Sequence, residues 1–140
     1  MDRDVLTLAR IARVLERACT DLTLAQYRLL AMIADGAERA SRLAGELALT
    51  KPTVSATIDT LVERGLVERE AVDGDRRATR LTVTEPGRAA LLVAESSMRE
   101  RLDDVLARVD DPVALRQSLT QLQSALDQRR DERRAARAGP

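Results

Sequence analysis

Histidine is absent from this 140-residue chain, and so are tryptophan and phenylalanine. Without histidine there is no imidazole to act as general base, to complete a nucleophilic triad or to supply the commonest zinc ligand. Tyr27 is the one aromatic residue. That leaves no set of rings on which single-stranded nucleic acid or RNA bases could stack. A glycine-rich phosphate loop is missing as well. These absences argue against an enzyme, and neither a cofactor nor a metal is expected. Cys19 is the only cysteine, so no internal disulfide can form and a cytoplasmic location is the default. No apolar run is long enough to cross a bilayer, and no membrane partner is expected. The opening "MDRDVLTLARIARV" carries acids where an export signal would hold a clean apolar core.

Charge of one sign is also lacking. The 23 basic residues are balanced by 23 acidic ones. Bulk charge therefore gives no support to nucleic-acid binding, and any grip on a polyanion must come from placement. Lys51 is the single lysine, so 22 of the 23 basic residues are arginine. A GC-rich coding bias explains that excess most simply, yet each arginine still offers a planar fork suited to phosphate or guanine. What the chain does contain is 44% hydrophobic and 33% charged residues. That is the composition of one helix-rich globular domain with a modest core.

Residues 3–19 have a helical period. Val5, Leu8, Ala12, Leu15 and Cys19 recur at steps of three and four. Cys19 lies on that stripe and reads more simply as a small buried hydrophobe than as a redox sensor. In "LTLAQYRLLAMIADG", Thr23 and Gln26 form a capping box with Leu22 and Tyr27 at the staple positions. A helix from about 24 to 34 or 35 follows, stopped by Gly36. Tyr27 is then a core or staple residue rather than a ligand contact.

"RASRLAGELALTKPTVSATIDTLVERG" predicts two short helices with a tight break. Leu43, Ala44, Leu47 and Ala48 form the inner face of the first. Thr50 caps the second, Pro52 is tolerated in its first turn, and Val54, Ile58, Leu61 and Val62 face inward until Gly65. This is a helix-turn-helix pattern. The period then changes to two in "LVEREAV" and "RATRLTV", joined through an Asp73-Gly74 turn. Leu81 and Val83 face one way, Arg80 and Thr82 the other. A helix-turn-helix followed by a hairpin is a winged helix.

Thr84 caps a long helix with Pro86 near its first turn and a stripe of Leu91, Ala94, Met98, Leu102, Val105 and Val109. Asp111 and Pro112 open another, with Leu115, Leu119, Leu122 and Leu126 along one face. The charged tail "QRRDERRAARAGP" is expected to fray. The fold class is thus mainly α with a small β-hairpin wing. Residues 23–84 form the winged helix, and 1–22 and 85–140 supply helices that flank it. Amphipathic terminal helices leave apolar stripes to bury, for which a symmetric dimer is the economical solution.

Three stretches, "LTLAQYRLLAMI", "SRLAGELALTKPTVSATIDTLVERGLVERE" and "DGDRRATRLTVTEPG", stand in order along the chain. With them the chain resembles the MarR family of bacterial transcriptional regulators over nearly its whole length. The last stretch is the most specific: D-x-R in the wing, a Leu-Thr strand, then Thr-x-x-Gly opening the long helix. The resemblance implies a dimer of winged helices that binds double-stranded DNA at an inverted repeat, usually as a repressor. Many members release DNA on binding a small aromatic or phenolic effector, so such a ligand is implied as a partner. With Tyr27 the only ring, its pocket would be mostly aliphatic. Peroxide sensors of the family carry their cysteine much further upstream than Cys19.

The outer face of the second short helix offers Lys51, Pro52, Thr53, Ser55, Ala56, Thr57 and Thr60. Hydroxyls can meet phosphates or base edges, threonine methyls can touch thymine, and Lys51 near the helix start favours phosphate. Many family members carry arginine where this chain has Ala56 and Thr60, so the wing must supply more of the grip. Arg76 and Arg77 lie just past the turn, where a wing can enter a minor groove. By the resemblance Arg77 is the inserted residue and Asp75 orients it. Ser41 and Arg42 are implied to brace a phosphate. Arg69 and Arg80 could pair with Glu68 or Glu70, or reach a phosphate. The alternative is a winged-helix protein–protein adaptor with a solvated wing, which the zero net charge favours.

Overall fold

The computed structural model describes residues 2–37, 40–47, 49–72 and 75–137; of residues 41, 72, 75–78, 134 and 137 it describes the backbone alone. Helix α1 covers Arg3–Ala18. Its cap is Asp2, whose carboxylate accepts from the amides of Asp4 at 2.9 Å and Val5 at 3.4 Å, placing negative charge at the positive end of the helix dipole. Cys19 is the C-cap rather than the last helical residue.

Helix α2, Leu24–Ala34, begins with the full capping box. The Gln26 amide donates to Thr23 Oγ1 at 3.1 Å, and the Thr23 amide donates to Gln26 Oε1 at 2.9 Å. Leu22 is buried beside this start. Gly36 ends the helix at φ +91°, a left-handed backbone that only glycine adopts without strain. Helix α3, Ala40–Leu47, buries Leu43, Ala44 and Leu47. Ala48, expected on that face, lies outside the described residues. Helix α4, Lys51–Glu63, is capped by Thr50, carries Pro52 in its first turn and buries Val54, Ile58 and Leu61, with Val62 half-buried. Gly65 stops it at φ +68°.

Strands β1, Val67–Val72, and β2, Asp75–Val83, pair antiparallel, with Val67 opposite Val83 and Arg69 opposite Leu81. The register shifts between Ala71 and Val72. Asp73 and Gly74, read as the turn, lie outside the described residues. Leu81 and Val83 are buried and Arg80 is exposed, as the alternation requires. Helix α5 is Glu85–Leu106 and helix α6 is Pro112–Arg137.

The chain divides into two compact units, at Arg101 and Leu102. In the first, Leu29, Leu30, Leu43, Val54, Ile58, Leu61 and Val67 are fully buried, so the core lies among α2, α3, α4 and β1. Leu91, Ala94 and Met98 of α5 and Ala18 at the end of α1 complete it. The earlier part of the α1 stripe does not join: Val5 is 62% and Leu8 56% exposed. In the second unit, the Arg116 guanidinium donates to the Asp103 carboxylate across the α5–α6 turn. Asp111 caps α6 by accepting from the Ala114 amide at 2.9 Å.

Two expectations are corrected here. Val109 is not on α5, because that helix ends at Leu106, ahead of the Asp-Asp-Pro break. The charged tail stays helical to Arg137, since alanine, arginine and glutamate are strong helix formers. Leu119, Leu122 and Leu126 line α6 in the expected order but are exposed.

Candidate nucleic-acid interface

Every buried side chain of α4 belongs to one face, which leaves the opposite face to solvent. Lys51, Pro52, Thr53, Ser55, Ala56, Asp59 and Thr60 are exposed there and Thr57 is half-buried. The Lys51 ammonium and the Ser55 hydroxyl have no partner among the described residues. Both are therefore free to meet an incoming ligand. The other hydroxyls are committed. Thr57 Oγ1 donates to the Thr53 carbonyl at 2.9 Å and Thr60 Oγ1 donates to that of Ala56 at 3.1 Å. The Thr53 and Thr50 hydroxyls share a hydrogen bond of 2.8 Å. With their protons spent on the helix, Thr57 and Thr60 present methyls and acceptor lone pairs outward rather than donors.

On α3, Arg42 Nε donates to Glu46 Oε1 at 3.1 Å, one helical turn on. Its guanidinium is partly exposed and so keeps donors free. Ser41 lies in the first turn of α3, and its side chain lies outside the described residues, as do those of Asp75, Arg76 and Arg77. The backbone of β2 carries those last three at the start of the strand, directly after the turn.

Arg69 differs from expectation. It pairs with neither Glu68 nor Glu70. Its Nη2 donates to Asp59 Oδ1 at 2.6 Å, from β1 to α4. The reason is the two-residue period of a strand. Arg69 stands on the face of Val67, which looks toward α4, whereas Glu68 and Glu70 stand on the other face. The signal was present in the alternation, but the partner comes from a different element.

Residues 20–78, from the approach to α2 through the wing, match the model of the MarR family. That segment, which holds α2 to the start of β2, is similar to the MarR family. Solved structures extend the likeness of fold beyond that segment. A MarR-family transcriptional regulator from Rhodococcus sp. RHA1 is 23% identical, with a TM-score of 0.74 over 87% of this chain and 88% of its own. The transcriptional repressor CouR, solved bound to a 23-mer DNA duplex, is 26% identical, with a TM-score of 0.73 over 86% and 87%. A variant of MarR from E. coli in complex with operator DNA is 22% identical, with a TM-score of 0.66 over 84% and 87%. No helix among the described residues is long and apolar enough to cross a membrane.

Away from α4, two groups at the core are perturbed. Tyr27 Oη lies 3.3 Å from Glu95 Oε1, to which it donates. Burial first, then the neighbouring Glu95 carboxylate, push the phenol above its ordinary value. Burial also raises the Cys19 thiol, with Glu16 adding to it. A thiol held protonated in this way is a poor nucleophile.

Proposed function

We propose that this protein is a homodimeric, sequence-specific DNA-binding transcriptional regulator, acting as a repressor at an inverted-repeat operator. The observation that carries the reading is the outer face of α4. It is small and polar, and it is followed at once by an arginine-bearing hairpin. In a winged helix such a helix enters the major groove while the wing reaches the adjacent minor groove. The DNA-bound states of CouR and of MarR from E. coli support it by likeness. Lys51, Thr53, Ser55, Ala56 and Thr57 face the bases and phosphates, with Pro52 setting the helix start. Arg77 enters the minor groove, Asp75 orients it, and Arg76, Ser41 and Arg42 hold phosphates. The lack of arginine on α4 predicts base readout through methyl and hydroxyl contacts, with the wing supplying much of the affinity.

The flanking segments 1–22 and 85–140 supply the dimer contacts, supported by the exposed stripes of α1 and α6. A small aromatic or phenolic effector that releases DNA completes the proposal, together with a cytoplasmic setting and no enzymatic activity. Selection from a pool of random duplexes tests the central part. Recovery of an inverted repeat is expected, with half-sites about one helical turn apart. Recovery of no common sequence would favour the protein–protein adaptor instead.

A further inference from the structure

The exposed face proposed to meet DNA contains a carboxylate in its middle. Asp59 lies one turn beyond Ser55 and Ala56, and Glu63 lies one turn further. Lys51 is the only cation on α4 itself, so the helix carries one positive and two negative side chains. A bare Asp59 would face phosphates at close range, where like charges repel strongly. Arg69 reaches it from β1, with 2.6 Å between Nη2 and Oδ1, and both side chains are about half exposed. Exposed pairs of this kind add little to folding stability, so the pair's effect must be sought elsewhere.

We infer that Arg69 acts as a charge mask for Asp59. It is a positioning residue that makes α4 acceptable to a polyanion, and it is not itself a phosphate contact. This rests on the reading of α4 as the DNA-facing helix. The guanidinium neutralises the carboxylate where it stands and engages its oxygen with a charge-assisted hydrogen bond. The same bond ties the base of the wing to the recognition helix, so the two DNA-facing elements are held together by the group that cancels their misplaced charge. A phosphate-gripping Arg69 would instead be drawn away from Asp59 and would count among the cations that release counterions.

The test is a double-mutant cycle on the full chain: wild type, Arg69→Gln, Asp59→Asn and the double variant. Each is titrated into a fluorescent DNA duplex of mixed sequence across a salt series. Arg69→Gln is expected to weaken binding about fivefold or more, because it uncovers the carboxylate. Asp59→Asn binds as tightly as wild type or tighter. The double variant returns to within about twofold of wild type with an unchanged salt slope, since the same phosphates are neutralised as before. If the double variant stays as weak as Arg69→Gln, with a slope lower by about 0.9 for each bound protomer, Arg69 is a phosphate ligand and the mask is overturned. If Asp59→Asn weakens binding as much as Arg69→Gln, the carboxylate is a contact or a brace, which also overturns it. Melting temperatures within about 4 °C of wild type confirm that folding is not the variable. Failure of the wild type to bind duplex DNA in a salt-dependent way would remove the DNA-binding reading, and this inference with it.

Discussion

The Thr84 hydroxyl donates to the Gly65 carbonyl at 2.6 Å, so the residue that caps α5 also holds the turn that ends α4. The Thr84 amide donates to Leu66 O at 3.1 Å, and the Gly87 amide donates to Thr84 Oγ1 at 3.1 Å. A Cβ on Gly87 would lie 2.1 Å from the Leu66 carbonyl oxygen. The start of α5 is therefore packed against the backbone of the α4–β1 turn, with Val83 Cγ1 also within 2.8 Å of that position.

Two substitutions read out that packing. Within a helix, Gly→Ala normally stabilises by up to about 1 kcal/mol. At Gly87 the clash with backbone dominates, and Gly87→Ala is expected to destabilise by about 3 kcal/mol. Thr84→Val keeps the shape but removes both hydrogen bonds of the hydroxyl, at a cost of about 1–2 kcal/mol. Urea unfolding measures both; a stabilised Gly87→Ala protein would show that the close approach does not exist.

Tyr27 is the only aromatic residue, so the ultraviolet titration of tyrosinate reports it alone. Burial and Glu95 raise its pKa above the ordinary 10.0. Glu95→Gln is expected to bring the midpoint down. Because the folded state holds this proton more tightly than the unfolded chain, its stabilising contribution is fully present below the ordinary tyrosine value. It is lost as pH rises through the higher folded value. A midpoint at or below 10.0 in the wild type would contradict the hydrogen bond to Glu95.

Cys19 is expected to react slowly with a thiol-specific disulfide reagent at neutral pH, because burial and Glu16 keep it protonated. Glu16→Gln should quicken the reaction. A wild-type rate equal to that of a free cysteine would show the thiol to be unperturbed.

How much of this was legible from residues alone follows the range of each interaction. The Thr23–Gln26 box, the Thr50 cap ahead of Pro52 and the Asp111 cap ahead of Pro112 are local, spanning three or four residues, and each appears where its sequence placed it. The Arg69–Asp59 pair and the Thr84–Gly65 bond join residues ten and nineteen apart, and nothing in a linear pattern names such partners. Val109 misled because apolar spacing continued past the helix end. The tail misled because its charge suggested fraying while its helix propensity decided the outcome. On α4 the exposed face was readable, but not that Thr57 and Thr60 spend their protons on their own backbone.

The exposed apolar stripe of α6 yields a prediction for assembly. Leu122 is 45% and Leu126 54% exposed. If they line the dimer interface, Leu122→Asp with Leu126→Asp shifts the protein from dimer to monomer in sedimentation velocity. Operator affinity falls with it, as each half-site then binds singly. A wild-type monomer would remove that role from α6.

The central claim is that α4 and the wing grip DNA. Its most direct measurement is the salt dependence of affinity for a selected operator, compared among wild type, Lys51→Ala and Arg77→Ala. Each substitution is predicted to weaken binding and to lower the slope of log affinity against log salt by about 0.9 for every phosphate that a protomer no longer neutralises. Unchanged affinity and unchanged slope in both variants would contradict the account.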